Sequence, residues 1–130
     1  MRKTARKTTK YGPSESDEQK LLFAWVEYAE VLYPELELLF HVPNEGRRSY
    51  RMGAELKKQG MKAGVPDICL PVSRGKHHAL YIEMKRIKGG TVSEAQKWWI
   101  DKLNQQGNLA VVCRGFDEAK DVILKYLKAK

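Results

Sequence analysis

From Ser14 onward the apolar positions fall into periodic blocks separated by short polar turns. Leu22, Val26 and Ala29 recur at helical spacing behind the N-cap candidates Ser14 and Ser16, which predicts a first helix over about 15–33, stopped by Pro34. ELELLFHVP then alternates into an apolar run and predicts a strand near 37–42. A weaker helical pattern from Arg47 to Gln59 closes at Gly60, and the Gly- and Pro-punctuated turn GMKAGVP follows. Two strand signals, 67–72 and 79–86, flank the polar loop SRGKHH and predict a hairpin-like pair. Ser93 with Gln96 three residues on makes a capping box for a helix with Trp99, Ile100 and Leu103 as its buried stripe, ending at Gly107. A strand LAVVC and a helix over about 117–127 close the order α, β, α, β, β, α, β, α. That is an α/β domain, a mixed central sheet flanked by helices, with no repeat and no second domain.

With 130 residues, 42% of them hydrophobic, the chain can build one real core. Its formal charge of +8 is high for a metabolic enzyme and points to a polyanion, nucleic acid first. The charge is unevenly spread. Residues 1–13 carry Arg2, Lys3, Arg6, Lys7 and Lys10 without an acid, the pattern of a flexible basic arm preceding a domain over 14–130. Residues 14–40 reverse the sign to −6, and 41–130 return to +9. The arm is expected to add salt-dependent affinity without taking part in chemistry. No apolar stretch reaches membrane-spanning length and MRKTARKTTKYGP lacks the apolar part of a signal peptide, so a soluble protein of the cytoplasm is expected. Cys69 and Cys113 sit far apart in apolar runs, as buried hydrophobes do, without zinc-ligand spacing.

In the strand over 79–86, Leu80, Ile82 and Met84 point one way while Tyr81, Glu83 and Lys85 point the other. Alone, an E-x-K pair reads as an ion pair on a solvated strand face. Asp67 changes that reading, because it follows Pro66 at the mouth of the preceding strand. If the strands pair, Asp67 and Glu83 converge, and two carboxylates in one place call for a divalent cation with oxygen ligands. Beside a polyanion such a site can polarise a phosphodiester and activate water, with Lys85 either handling that water or stabilising charge on phosphorus. Glu15 and Glu18 stand at the N-terminal end of the first helix's buried stripe, where the helix dipole also favours acids.

GVPD at 64–67 followed by YIEMK at 81–85 resembles the PD-(D/E)xK nuclease superfamily. HVPNEG at 41–46, the GMKAGVPD approach and GGTVSEAQKWW extend the likeness to its VRR-Nuc branch, over nearly the whole stretch from Ser14 to Leu127. The resemblance implies a compact nuclease fold with Asp67, Glu83 and the backbone carbonyl of Met84 holding Mg²⁺ or Mn²⁺, and Lys85 as the catalytic lysine. Gln96 matches the family's glutamine on the helix after the E-x-K strand. The family's first-helix acid maps onto Glu15, four residues before Gln19, with Glu18 as second choice. It further implies a phage or bacterial protein of the stand-alone type, acting as a homodimer on branched DNA such as Holliday junctions.

The basic cluster Arg47, Arg48 and Arg51 is expected to contact DNA phosphates. His41 and Asn44 belong either to the border of the site or to a strand-ending turn. Trp98 and Trp99 can stack on unpaired bases, though one is expected in the core. A metal-dependent, structure-selective DNA endonuclease is thus the expected function. Its alternatives are a non-cleaving nucleic-acid-binding module on the same fold and a restriction-type nuclease.

Overall fold

A computed structural model describes residues 12–43 and 50–130. Helices α1 (Glu15–Ala29), α2 (Tyr50–Lys58), α3 (Glu94–Gln105) and α4 (Phe116–Lys128) alternate with strands β1 (Phe40–His41), β2 (Ile68–Leu70), β3 (Leu80–Lys85) and β4 (Leu109–Arg114). The expected order holds, and the sheet is mixed. Its strands lie in the order β1-β2-β3-β4. β1 with β2 and β2 with β3 are antiparallel, whereas β4 returns parallel to β3 after the α3 crossover.

The alternation in β3 separates two environments. Leu80, Ile82 and Met84 join Leu22 and Val26 of α1 and Ile123 of α4 in the main core. The opposite face carries Tyr81, Glu83 and Lys85 and is met by α3, whose Gln96 reaches Glu83. Cys69 and Cys113 are both buried thiols.

Three elements depart from the expectations. α1 ends at Ala29, four residues early, because the chain turns through 30–33 and Tyr33, ahead of Pro34, is held outside the helical region at φ −129° and ψ 81°. Pro34 does not follow a helix but opens a 3-10 turn, Pro34–Leu38. That turn takes the first two residues of the strand expected over 37–42, which shortens to Phe40–His41. Leu36 and Leu39 are the buried positions, a spacing of three that suits a 3-10 turn and not an alternating strand. Third, α3 has no fully buried residue. Its stripe of Trp99, Ile100 and Leu103 is only half-buried, because α3 covers the polar face of β3 and not the main core.

β4 is an edge strand whose outer backbone groups are covered by side chains. Asn104 of α3 donates to Ala110 O at 3.0 Å and accepts from Ala110 N at 2.9 Å, and Glu118 accepts from Arg114 N at 3.0 Å. Such side-chain pairing blunts an edge that would otherwise invite another strand. At the N-terminal side, Arg86 donates to Gly12 O at 2.9 Å, so the last residues of the expected arm rest on the body. Residues 1–11 of that arm, and Asn44, Arg47 and Arg48, lie outside the described residues.

Candidate active site

The site forms where the chain enters β2. The register Ile68↔Ile82 places Pro66 opposite Met84. Lys85 O accepts from Gly115 N on the β4 side, so the N–H and C=O of the preceding Met84 face β2. Proline has no N–H to offer Met84 O. Met84 N does not pair with the strand either but donates to Asp67 Oδ2 at 2.8 Å. The Pro66-Asp67 pair thus opens the ladder, replaces one backbone acceptor with a carboxylate, and leaves the Met84 carbonyl aimed to the same side.

Asp67 is held from several directions. Its carbonyl accepts from Val42 N at 2.6 Å and lies 3.1 Å from His41 Nδ1. The preceding turn packs backbone to backbone on α3: Gly64 has φ +92°, and a Cβ there would lie 2.6 Å from the carbonyl carbon of Ala95. Only glycine allows both that dihedral and that approach. Trp99 Nε1 fastens the same turn by donating to Ala63 O at 3.0 Å.

Glu83 is 2% exposed and Lys85 6%. Glu83 Oε2 accepts from Gln96 Nε2 at 3.1 Å and stands 3.9 Å from Lys85 Nζ. Gln96 has two tasks, since its Oε1 also accepts from Ser93 N at 2.9 Å in the capping box of α3. Glu83 Oε1 is buried with no hydrogen-bond partner. Burial first, and then the charge of Asp67, push the Glu83 carboxyl up to about 8, with Glu15 adding to the rise and Lys85 opposing it. Asp67, Glu83, Lys85 and Gln96 therefore lie in one cluster.

The two first-helix acids are placed differently. Glu15 acts on Glu83 through its charge and lies beside Gly90, its Oε2 3.7 Å from where a Cβ would stand. Glu18 is buried and its Oε1 accepts from Phe116 N at 2.9 Å, serving α4, whose own N-cap Gly115 has no side chain to offer. Among the described residues no three His, Cys, Asp or Glu side chains group as metal ligands, so Glu15 does not close directly on the carboxylate pair. Arg51 is exposed on α2.

Sequence reasoning missed Arg114. Its guanidinium donates to the carbonyls of Arg86 and Gly89 at 3.1 and 3.0 Å and tethers the loop between Lys85 and the helix of Gln96. No local pattern announces an arginine whose partners lie more than twenty residues away.

The fit to a divalent cation follows from the donors. Two carboxylates and a carbonyl form an all-oxygen set suited to a hard ion. A buried oxygen without a partner, and a carboxyl driven toward its neutral form, are what such a set shows without its cation.

The shifted Glu83 makes a prediction for the metal-free protein. Its folded value of about 8 exceeds the ordinary 4.5, so folding retains a proton that the unfolded chain releases between these values. The stability tied to that proton is full below about pH 4.5 and lost as pH rises through 8. Glu83→Gln mimics the protonated form. In chelator its unfolding free energy from urea titration should gain on the wild type from pH 5 to pH 9, by an amount on the order of a few kcal/mol. A constant difference between the two proteins across that range would contradict the burial argument.

The VRR-NUC domain model matches residues 14–117. A solved structure titled "VRR_NUC domain protein" superposes with a TM-score of 0.77 at 31% identity, covering 88% of each chain. None of the curated proteins matches.

Proposed function

The chain belongs to the VRR-NUC domain family, a nuclease family acting on DNA, and from that premise we propose that it is a Mg²⁺- or Mn²⁺-dependent endonuclease selective for branched DNA such as Holliday junctions. The observation that carries the metal is the buried Glu83 Oε1 without a partner, beside Asp67 and Lys85. Asp67, Glu83 and the Met84 carbonyl would hold the ion, with Glu15 adding negative charge nearby. A divalent cation supplies Lewis-acid activation of the phosphodiester and lowers the pKa of water.

The chain's own residues do the rest. Gln96 holds the Glu83 carboxyl by its Oε2 and keeps Oε1 free. Lys85, 3.9 Å from Glu83, supplies the cation that orients water or stabilises charge on phosphorus. Exposed Arg51, with Arg47 and Arg48, contacts phosphates flanking the cut. The basic arm over 1–13 adds affinity for any DNA. A homodimer matches the two-fold symmetry of a four-way junction, and a phage or bacterial protein of the cytoplasm is the setting that fits; no helix among the described residues is long and apolar enough to cross a membrane. A module built only to bind would have no use for acids facing a phosphate, which weighs against the non-cleaving reading.

The test compares linear duplex, flap and four-way-junction DNA with Mg²⁺, Mn²⁺ or chelator. Cleavage should require either metal and run fastest on branched DNA. Tight binding to all three substrates without cutting in either metal would replace the enzyme with a binding module. Equal rates on duplex and junction would remove the branched specificity alone.

A further inference from the structure

Beside the turn that leads into Asp67 lies an open cavity of about 500 Å³, lined by Val42, Pro43, Met61, Lys62, Val65 and Trp99 among others. Its walls belong to the elements that build the site. Val42 N bonds Asp67 O, Val65 precedes Asp67 by two residues, and Trp99 sits three residues beyond Gln96 on α3. The hydrogen bond from Trp99 Nε1 to Ala63 O sets the indole at the wall. On the same helix Trp98 packs edge-on against Trp99, ring centres 5.6 Å apart, and is 55% exposed. None of the groups assigned to phosphodiester hydrolysis uses this hollow.

The occupant must be apolar-faced and attached to a polyanion. Among its lining residues Lys62 is an exposed cation, and none is an acid. The volume falls in the range of sites for small planar ligands. An apolar wall of indole with the Lys62 ammonium at its edge suits a base whose neighbouring phosphates stay outside.

We propose that this cavity receives one unpaired nucleobase of the DNA strand beside the scissile phosphate. The inference rests on the nuclease reading and gives it a physical source of structure selectivity. A paired base must leave the stack to enter, at a cost that is least where it is already unpaired. The cavity therefore favours branched or frayed DNA over intact duplex without reading sequence.

Affinity is measured in chelator on flap and four-way-junction DNA in which one nucleotide at a time near the branch is made abasic. For the wild type, one position should weaken binding by roughly 10-fold, the scale of losing a base stacked on an aromatic ring. Trp99→Leu should abolish that positional response while binding blunt duplex as before. Met61→Trp, which fills the hollow from its rim, should abolish it too, and serves if Trp99→Leu does not fold. A flat scan in the wild type, or an unchanged response in a folded variant, overturns the proposal. Cleavage of the unmodified DNAs in Mg²⁺ is scored separately, so failure of the nuclease reading is seen independently of the scan.

Discussion

Asp67→Asn should bind branched DNA in chelator at least as well as the wild type and cut it, in Mg²⁺ or Mn²⁺, about a thousand-fold more slowly or not at all. The asparagine can still accept from Met84 N, now 2.8 Å from Oδ2, so the strand junction survives. What is lost is the charge. A neutral amide beside Glu83 holds a divalent cation far less well and leaves the Glu83 carboxyl freer to ionise, since Asp67 is second only to burial in pushing it up. Losing one preorganised electrostatic group from a reaction centre typically costs two to three decades in rate, and three decades are about 4 kcal/mol of barrier. Lys85→Met keeps the buried stem and removes the ammonium, and should fall by a similar factor without improving DNA binding. The check is single-turnover cleavage of a junction together with affinity in chelator. Wild-type rates in either variant would sink the assignment of chemistry to this cluster, whereas loss of binding along with cutting would mean that the variant had unfolded.

The second large effect comes from a residue with no side chain. Gly64→Ala would put a methyl carbon 2.6 Å from the Ala95 carbonyl carbon and 2.7 Å from its oxygen, at φ +92°. The dihedral alone costs roughly 1–2 kcal/mol for an L-residue. Two backbones cannot give way as a flexible side chain would, so the total should reach about 3 kcal/mol or more, a fall in Tm of about 10 °C for a domain of this size. The same displacement separates the turn carrying Asp67 from the helix carrying Gln96, so cleavage should drop even well below the new Tm. Gly53→Ala is the internal control. Gly53 lies in α2 with ordinary dihedrals and nothing within 4 Å of an added Cβ, and alanine there should stabilise by roughly 0.5–1 kcal/mol. Thermal melts of both variants decide the matter. Equal melting temperatures would show that the α3 contact at Gly64 contributes nothing.

Much of this architecture is legible in the chain because it depends on local periodicity. Alternation along β3 determined that Glu83 and Lys85 share a face. Ser93 and Gln96 marked the start of α3, and the i, i+4 run Glu18, Leu22, Val26 marked the inner stripe of α1. The same local signals misjudged the stretch from Val31 to Leu39, where Leu36 and Leu39 follow a period of three that an alternating template reads as a strand.

Other features became definite only when distant segments met. In the sequence Glu15 and Glu18 are two acids on one helix face, and only the family resemblance ranks Glu15 first. The tertiary structure separates them by supplying Phe116 N, ninety-eight residues away, to Glu18, while Glu15 acts on Glu83 through its charge. Likewise, Pro66-Asp67 is a turn signal until Met84 lies opposite with an N–H to give and a carbonyl that proline cannot pair. The cavity at Trp99 exists because α3 and the GMKAGV turn close on each other at Gly64, a contact no pattern encodes. Periodicity records which face of an element avoids water. Which buried oxygen finds a partner, and which is left without one, depends on what the opposing segment offers, and only the folded chain decides that.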